Sequence, residues 1–306
     1  MVNTNTDQHD DTNESGATTG TNDIIPGCAV PANAQPVEPV AQTWHLTIAY
    51  DGSAYAGWQV QPTQKTIQGE IRARLRRLFR SPELKVYGGS RTDAGVHALD
   101  QQLSFTAPSP PDMTPEKLVY ILNRWLPDDI MVLRARICPG AFNPRYDNAG
   151  KAYTYCLAPG HRVNPLFARF VWRTPRPLAV QAMREAAALL IGEHDFSSFA
   201  ANPGYELDNK VRKLYRLDVI EQHGLIFISA VGESFMYKMV RGLAGYLVHI
   251  GAGHAPASDA TRVLAARDRS QAADSAPPQG LFLAKVFWND DEWQHYEPLI
   301  PPFTLI

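Results

Sequence analysis

No apolar run in these 306 residues approaches the roughly 18 needed to span a bilayer. The first residues carry neither a basic n-region nor an apolar h-region, so no secretory signal is expected. Cysteine is scarce. Cys28, Cys138 and Cys156 form no CxxC pair and have no partnered histidine spacing. An odd count without a framework fits reduced thiols in a cytoplasmic protein better than a disulfide scaffold. No His/Asp/Glu cluster has metal-ligand spacing, so no metal is expected. A large charge excess is also missing: the formal net charge is −2, which taken alone argues against a polyanionic partner.

The distribution of charge changes that conclusion. Residues 1–42 contain six acidic side chains (Asp7, Asp10, Asp11, Glu14, Asp23, Glu38) and no Lys or Arg. The remainder therefore carries 29 basic and 25 acidic side chains, a balance that permits RNA binding without demanding it. Residues 1–42 are rich in Thr, Asn, Asp, Ala and Pro and lack a hydrophobic period, so they read as a disordered tail.

From residue 43 the pattern is that of a folded α+β protein. Trp44, Leu46, Ile48 and Tyr50 alternate as on a strand. A helix is expected over residues 66–80, burying Ile67, Ile71, Leu75, Leu78 and Phe79, with Thr66 as its cap. Its arginines Arg72, Arg74, Arg76, Arg77 and Arg80 form a solvated basic face or a track for phosphates. Strands over 84–87 and 101–106, a helix over 115–126 and a strand over 130–137 follow. Strand, helix, strand, strand, helix, strand is the split βαβ, ferredoxin-like order, which is also the core of RNA-recognition modules. A second half repeats the theme more loosely: strand 151–157, helix 178–191, strands 211–222 and 225–231, helices 237–250 and 258–266, strand 281–288. The expected organisation is a tail (1–42), an N-terminal α+β domain (43–147) and a C-terminal one (148–306), with a cleft between the halves.

One stretch stands out against this background: Gly88-Gly89-Ser90-Arg91-Thr92-Asp93-Ala94-Gly95-Val96-His97-Ala98, lying between two expected strands. Its glycines allow sharp turns and close approach. An Asp held on such a turn can serve as nucleophile or base, and Arg91 suits a phosphate. By itself the pattern also describes a hairpin with a charged tip.

The whole run resembles the signature of the TruA family of tRNA pseudouridine synthases, Arg-Thr-Asp-x-Gly-Val-His, with Ser90 where many members have a third glycine. Further segments resemble the family in the same order. They are Tyr55-Ala56-Gly57-Trp58-Gln59, followed by Thr66-Ile67-Gln68; Gly192-Glu193-His194-Asp195-Phe196-Ser197-Ser198-Phe199; Met239-Val240-Arg241-Gly242, with Gly242 in place of Asn; and Ala276-Pro277-Pro278-Gln279-Gly280-Leu281. The likeness runs from about Trp44 to Trp288. It implies a pseudouridine synthase fold of two ferredoxin-like halves with mixed, mainly antiparallel sheets flanking a central cleft. It also implies a homodimer that isomerises uridines 38, 39 and 40 in the tRNA anticodon stem-loop. Carried over by position, Asp93 is the nucleophile and Arg91 contacts RNA phosphate and holds the extruded nucleotide. Tyr153 stacks on the target base and Arg241 pairs with Asp93. On the residues alone, Tyr153 also reads as an ordinary strand aromatic, Arg241 as a helix residue paired for burial and Trp58 as a core aromatic.

The implied reaction breaks N1–C1′, turns the uracil and joins C5 to C1′. It involves no redox step and no hydrolysis, so no cofactor is implied. The resemblance leaves open whether Asp93 attacks C1′ or promotes a glycal. Two other functions fit less well. An aspartic protease needs two carboxylates in one site, and Asp51-Gly52-Ser53 has the wrong order to supply the second. A non-catalytic RNA-recognition module would carry the basic-Gly-aromatic-Gly pattern, which is missing.

Overall fold

The computed structural model describes residues 40–160, 163–202, 204–205 and 208–301. The first βαββαβ run comprises β1 (Ala41–Tyr50), α1 (Ile67–Leu78), β2 (Tyr87–Gly88), β3 (His97–Pro108), α2 (Pro115–Trp125) and β4 (Ile130–Cys138). The chain continues through β5 (Gly150–Pro159), β6 (Trp172–Thr174), α3 (Val180–Ala188), β7 (Gly192–Asp195), β8 (Val211–Gln222), β9 (Leu225–Gly232), α4 (Met239–Gly251), α5 (Asp259–Ala266) and β10 (Leu281–Phe287).

All ten strands join one sheet in the order β4-β1-β3-β10-β5-β9-β8-β7, with β2 on β3 and β6 on β5. Each half has the same local order. In the first, β4-β1-β3-β2 places the strands as fourth, first, third, second; in the second, β10-β5-β9-β8 does the same. All pairings within these two sets are antiparallel. The halves meet where β10 runs parallel to β3 over two residue pairs, Phe282 with His97 and Leu283 with Ala98.

β2 is shorter than expected, and the seam lies beyond its end. The sequence reading expects a strand from Leu84, yet only Tyr87 and Gly88 pair with β3, at Ser104 and Leu103. Leu84 and Val86 are buried, but their carbonyls are taken by side chains of α1: Arg76 Nε donates to Leu84 (3.1 Å) and Gln68 Nε2 to Val86 (2.8 Å). The start of β3 is left for β10 because the chain turns away from β3 after Gly88, opposite Leu103.

One apolar core holds residues from all five helices together with one face of the strands, including Trp44, Leu46, Ile48, Leu103, Phe105, Tyr153, Tyr155 and Leu157. The alternate positions Ala152, Cys156, Ala158, Phe282 and Phe287 fall into two smaller clusters, as period-2 side-chain direction requires. Thr66 Oγ1 caps α1 through Gly69 N–H (3.3 Å), and Thr114 Oγ1 caps α2 through Lys117 N–H (3.2 Å).

Order begins earlier than expected. Ala41 and Gln42 pair with Pro108 and Ala107, so the expected tail loses its last two residues to β1; residues 1–39 lie outside the described residues. The helix expected from Tyr237 starts two residues later, because Lys238 has φ +58°, a left-handed value. Among the described residues, no helix is long and apolar enough to cross a membrane.

Candidate active site

The loop from Gly89 to Val96 leaves β2 at the seam between the halves and returns as β3. Its last turn is closed by Val96 N–H donating to the Asp93 carbonyl (3.2 Å), with Gly95 in third place at φ +76°. A left-handed value at that position favours glycine. The loop is held from behind. Trp58 N–H donates to the Thr92 carbonyl (3.0 Å), and the Thr92 hydroxyl meets Tyr50 Oη (2.8 Å). A Cβ on Gly57 would come 2.7 Å from the Thr92 oxygen, and one on Gly88 2.5 Å from the Trp58 ring. The Tyr-x-Gly-Trp segment is thus the backing of the Asp93 loop, and Trp58 is a core aromatic, 1% exposed.

Asp93 points across the seam. Its Oδ2 accepts from Arg241 Nη1 at 2.8 Å; both side chains are largely buried. Arg241 is aimed from a second direction, because its Nε donates to the Ala276 carbonyl (2.7 Å) and its own carbonyl accepts from Ala276 N–H (2.9 Å). The 276–280 segment is anchored in turn. Tyr155 Oη donates to the Pro277 carbonyl (2.6 Å), and His97 Nε2 lies 3.2 Å from the Gln279 carbonyl oxygen.

Tyr153, on β5, reaches the loop from the other half. Its Oη lies 2.6 Å from Ser90 Oγ, and its ring meets Phe235 edge-on at 5.2 Å. Burial pushes the phenol up to about 12; the Asp93 charge adds to this and the Ser90 hydrogen bond opposes it. Arg91 is exposed.

These four residues line one cavity of about 790 Å³. Among its described residues are six cations (Arg91, Arg145, Lys151, Arg212, Lys238, Arg241) and one carboxylate, Asp93. Lys151 is 8% exposed, and burial together with Arg145 lowers it to about 8. The arginines of α1 do not line this cavity. Arg74 pairs with Glu70 (2.5 Å), Arg76 holds Leu84, and Arg77 lies over the Trp125 ring (5.1 Å). Nor does the 192–199 segment line it. It braces α4 and α5 through the Phe199 carbonyl against Gly242 and through Ser198 Oγ donating to the Val263 carbonyl (2.6 Å).

Sequence reasoning missed Gln101, which is fully buried and clamps the loop: Ser90 N–H donates to its Oε1 (3.1 Å) and its Nε2 donates to the Ser90 carbonyl (2.9 Å). The signal was present, since Gln101 shares the apolar face with Leu103 and Phe105. Lys151, Arg145 and Arg212 carried no such mark, because they converge only once the sheet is assembled.

A sheet of two ferredoxin-like units with a loop aspartate paired to an arginine across their seam, inside a cation-lined cavity, suits a protein that binds a polyanion and presents one carboxylate to it. The sequence profile described as "tRNA pseudouridine synthase" matches residues 46–147 and 186–289. The chain is 36% identical over 249 residues to tRNA pseudouridine synthase A of Methylacidiphilum infernorum, covering 81% of this chain and 96% of that protein. It is 38% identical to the protein of that name from Lacticaseibacillus casei, covering 80% and 99%, and 39% identical to that of an Exiguobacterium strain, covering 80% and 95%. The chain belongs to the tRNA pseudouridine synthase family, and its activity is that of an isomerase forming pseudouridine in tRNA.

Proposed function

We propose that this enzyme isomerises uridines 38, 39 and 40 of the tRNA anticodon stem-loop, with Asp93 as the nucleophile acting on an extruded nucleotide. The observation that carries this reading is the 2.8 Å Asp93–Arg241 pair, which holds the one carboxylate among six cations in the cavity's described lining. Arg241 occupies Oδ2, and Oδ1 accepts no hydrogen bond from the described residues, so one oxygen is aimed and the other is available to the ribose. Extruding a base costs a few kcal/mol. Phosphate contacts from the cations offset that cost, Arg91 among them at the exposed rim. Tyr153 supports the displaced base and sits where the C5 proton leaves at the end of the reaction. Reading several neighbouring uridines calls for recognition of shape and backbone. RNA lies between the halves 43–147 and 148–306, and a tRNA substrate fits a cytoplasmic enzyme.

We also propose that the enzyme is a homodimer. Among the described residues β4 is an edge of the sheet, and Met131, Leu133 and Ile137 on it are exposed at 55%, 39% and 41%. Apolar edges of this kind are usually covered.

The test is incubation with bulk tRNA and with anticodon stem-loops in which each of the three uridines is replaced singly. The expected result is pseudouridine at those sites, with binding that weakens steeply as salt rises. Salt-independent affinity, or modification confined to ribosomal RNA, contradicts the proposal.

A further inference from the structure

At neutral pH the Tyr153 phenol keeps its proton, because burial holds it near 12. A protonated phenol can take the C5 proton only if its own proton leaves in the same step. The group placed to receive that proton is the Ser90 hydroxyl, 2.6 Å away. Ser90 is fixed on both sides of its backbone by the fully buried Gln101, at 3.1 and 2.9 Å, so the hydroxyl is presented by a rigid frame. It is half-buried and lines the cavity, where solvent reaches it.

We propose that Ser90 is a positioning residue for Tyr153 that also relays the final proton of the reaction to solvent. The inference rests on the role given to Tyr153 under the proposed function. In that step the C5–H bond breaks and its electron pair forms the C5–C6 double bond, while the N1–C6 π pair of the C5-linked ring moves onto N1, which takes up a proton from a cavity water. The proton forms a new O–H bond on Tyr153, the former phenolic proton passes to Ser90 Oγ, and the serine proton passes to a cavity water. Tyr153 and Ser90 end neutral, and the water carries the proton away. No charge is stranded on the buried phenol at any point, which its surroundings would penalise.

The experiment compares the wild type with Ser90→Ala and Ser90→Thr, using tRNA carrying tritium or deuterium at uridine C5. Ser90→Ala is expected to bind tRNA and to melt as the wild type does. It should release tritium about ten- to a hundred-fold more slowly, on the scale of a partly lost proton-transfer aid. Its C5 deuterium isotope effect should exceed that of the wild type, and threonine should restore the rate. Wild-type rate and isotope effect in Ser90→Ala overturn the relay and leave the proposed function standing. A slow Ser90→Ala with an unchanged isotope effect, or one that threonine does not rescue, also overturns it in favour of a structural role. Absence of tritium release from the wild type removes the functional reading and the relay together.

Discussion

The carbonyl oxygen of Phe199 lies 2.0 Å from where a Cβ on Gly242 would stand. Helix α4 therefore approaches the 197–199 turn so closely that only glycine fits, one residue after Arg241, whose guanidinium pairs with Asp93. The expected Met-Val-Arg-Asn pattern differs in this chain at the point where the backbone of the neighbouring segment needs the space.

Gly242→Ala is therefore expected to destabilise the protein by about 1–3 kcal/mol, the usual range for overpacking against an unyielding neighbour. Because α4 must shift, isomerisation should fall by more than the loss of folded protein explains. Denaturant melts beside single-turnover rates check both, and a variant of wild-type stability and rate contradicts the contact.

Lys151 should couple pH to stability. Its amine falls from 10.5 to about 8 on folding, through burial first and Arg145 second. Between those values the unfolded chain binds more protons than the folded one, so stability rises with pH across that window. Below about pH 8 the cost of the buried charge is fully present. Lys151→Met is expected to stabilise the protein at pH 7, on the order of 2 kcal/mol, and to abolish the rise above pH 8. The same change should weaken tRNA binding, since a cavity cation is lost. Thermal melts from pH 7 to pH 10.5 beside filter binding separate the two effects.

The free edge of β4 predicts the assembly. Light scattering at micromolar concentration should show a dimer, and Leu133→Glu should convert it to a monomer with little loss of melting temperature. A wild-type monomer contradicts the proposed homodimer.

Much of this architecture is legible in the sequence because burial and backbone geometry act locally. Trp44, Leu46 and Ile48 mark β1 by alternation, and Thr66 and Thr114 mark two helix starts. What escaped depended on particular side-chain contacts and on partners distant in the chain. The truncation of β2 follows from Arg76 and Gln68 capturing its carbonyls. The seam rests on two β3 residues meeting β10 from nearly two hundred positions away. Asp93, Arg91, Tyr153 and Arg241 were singled out through motif resemblance. No periodicity could have paired Asp93 with Arg241 or set Ser90 against Tyr153, since those contacts form only when both halves share one sheet.

The central claim is that Asp93 acts as the nucleophile, and Asp93→Asn tests it most directly. The amide matches the carboxylate in size, so the turn closed by Val96 and the contacts behind Thr92 should survive, but it has no negative charge to direct at the ribose. Binding rests on the cations and should be nearly unchanged or slightly tighter. The decisive measurement is tritium release from C5-labelled uridine in tRNA, run beside filter binding and a melting curve. The account predicts no detectable release with near-normal binding and melting. Substantial turnover by Asp93→Asn would contradict it.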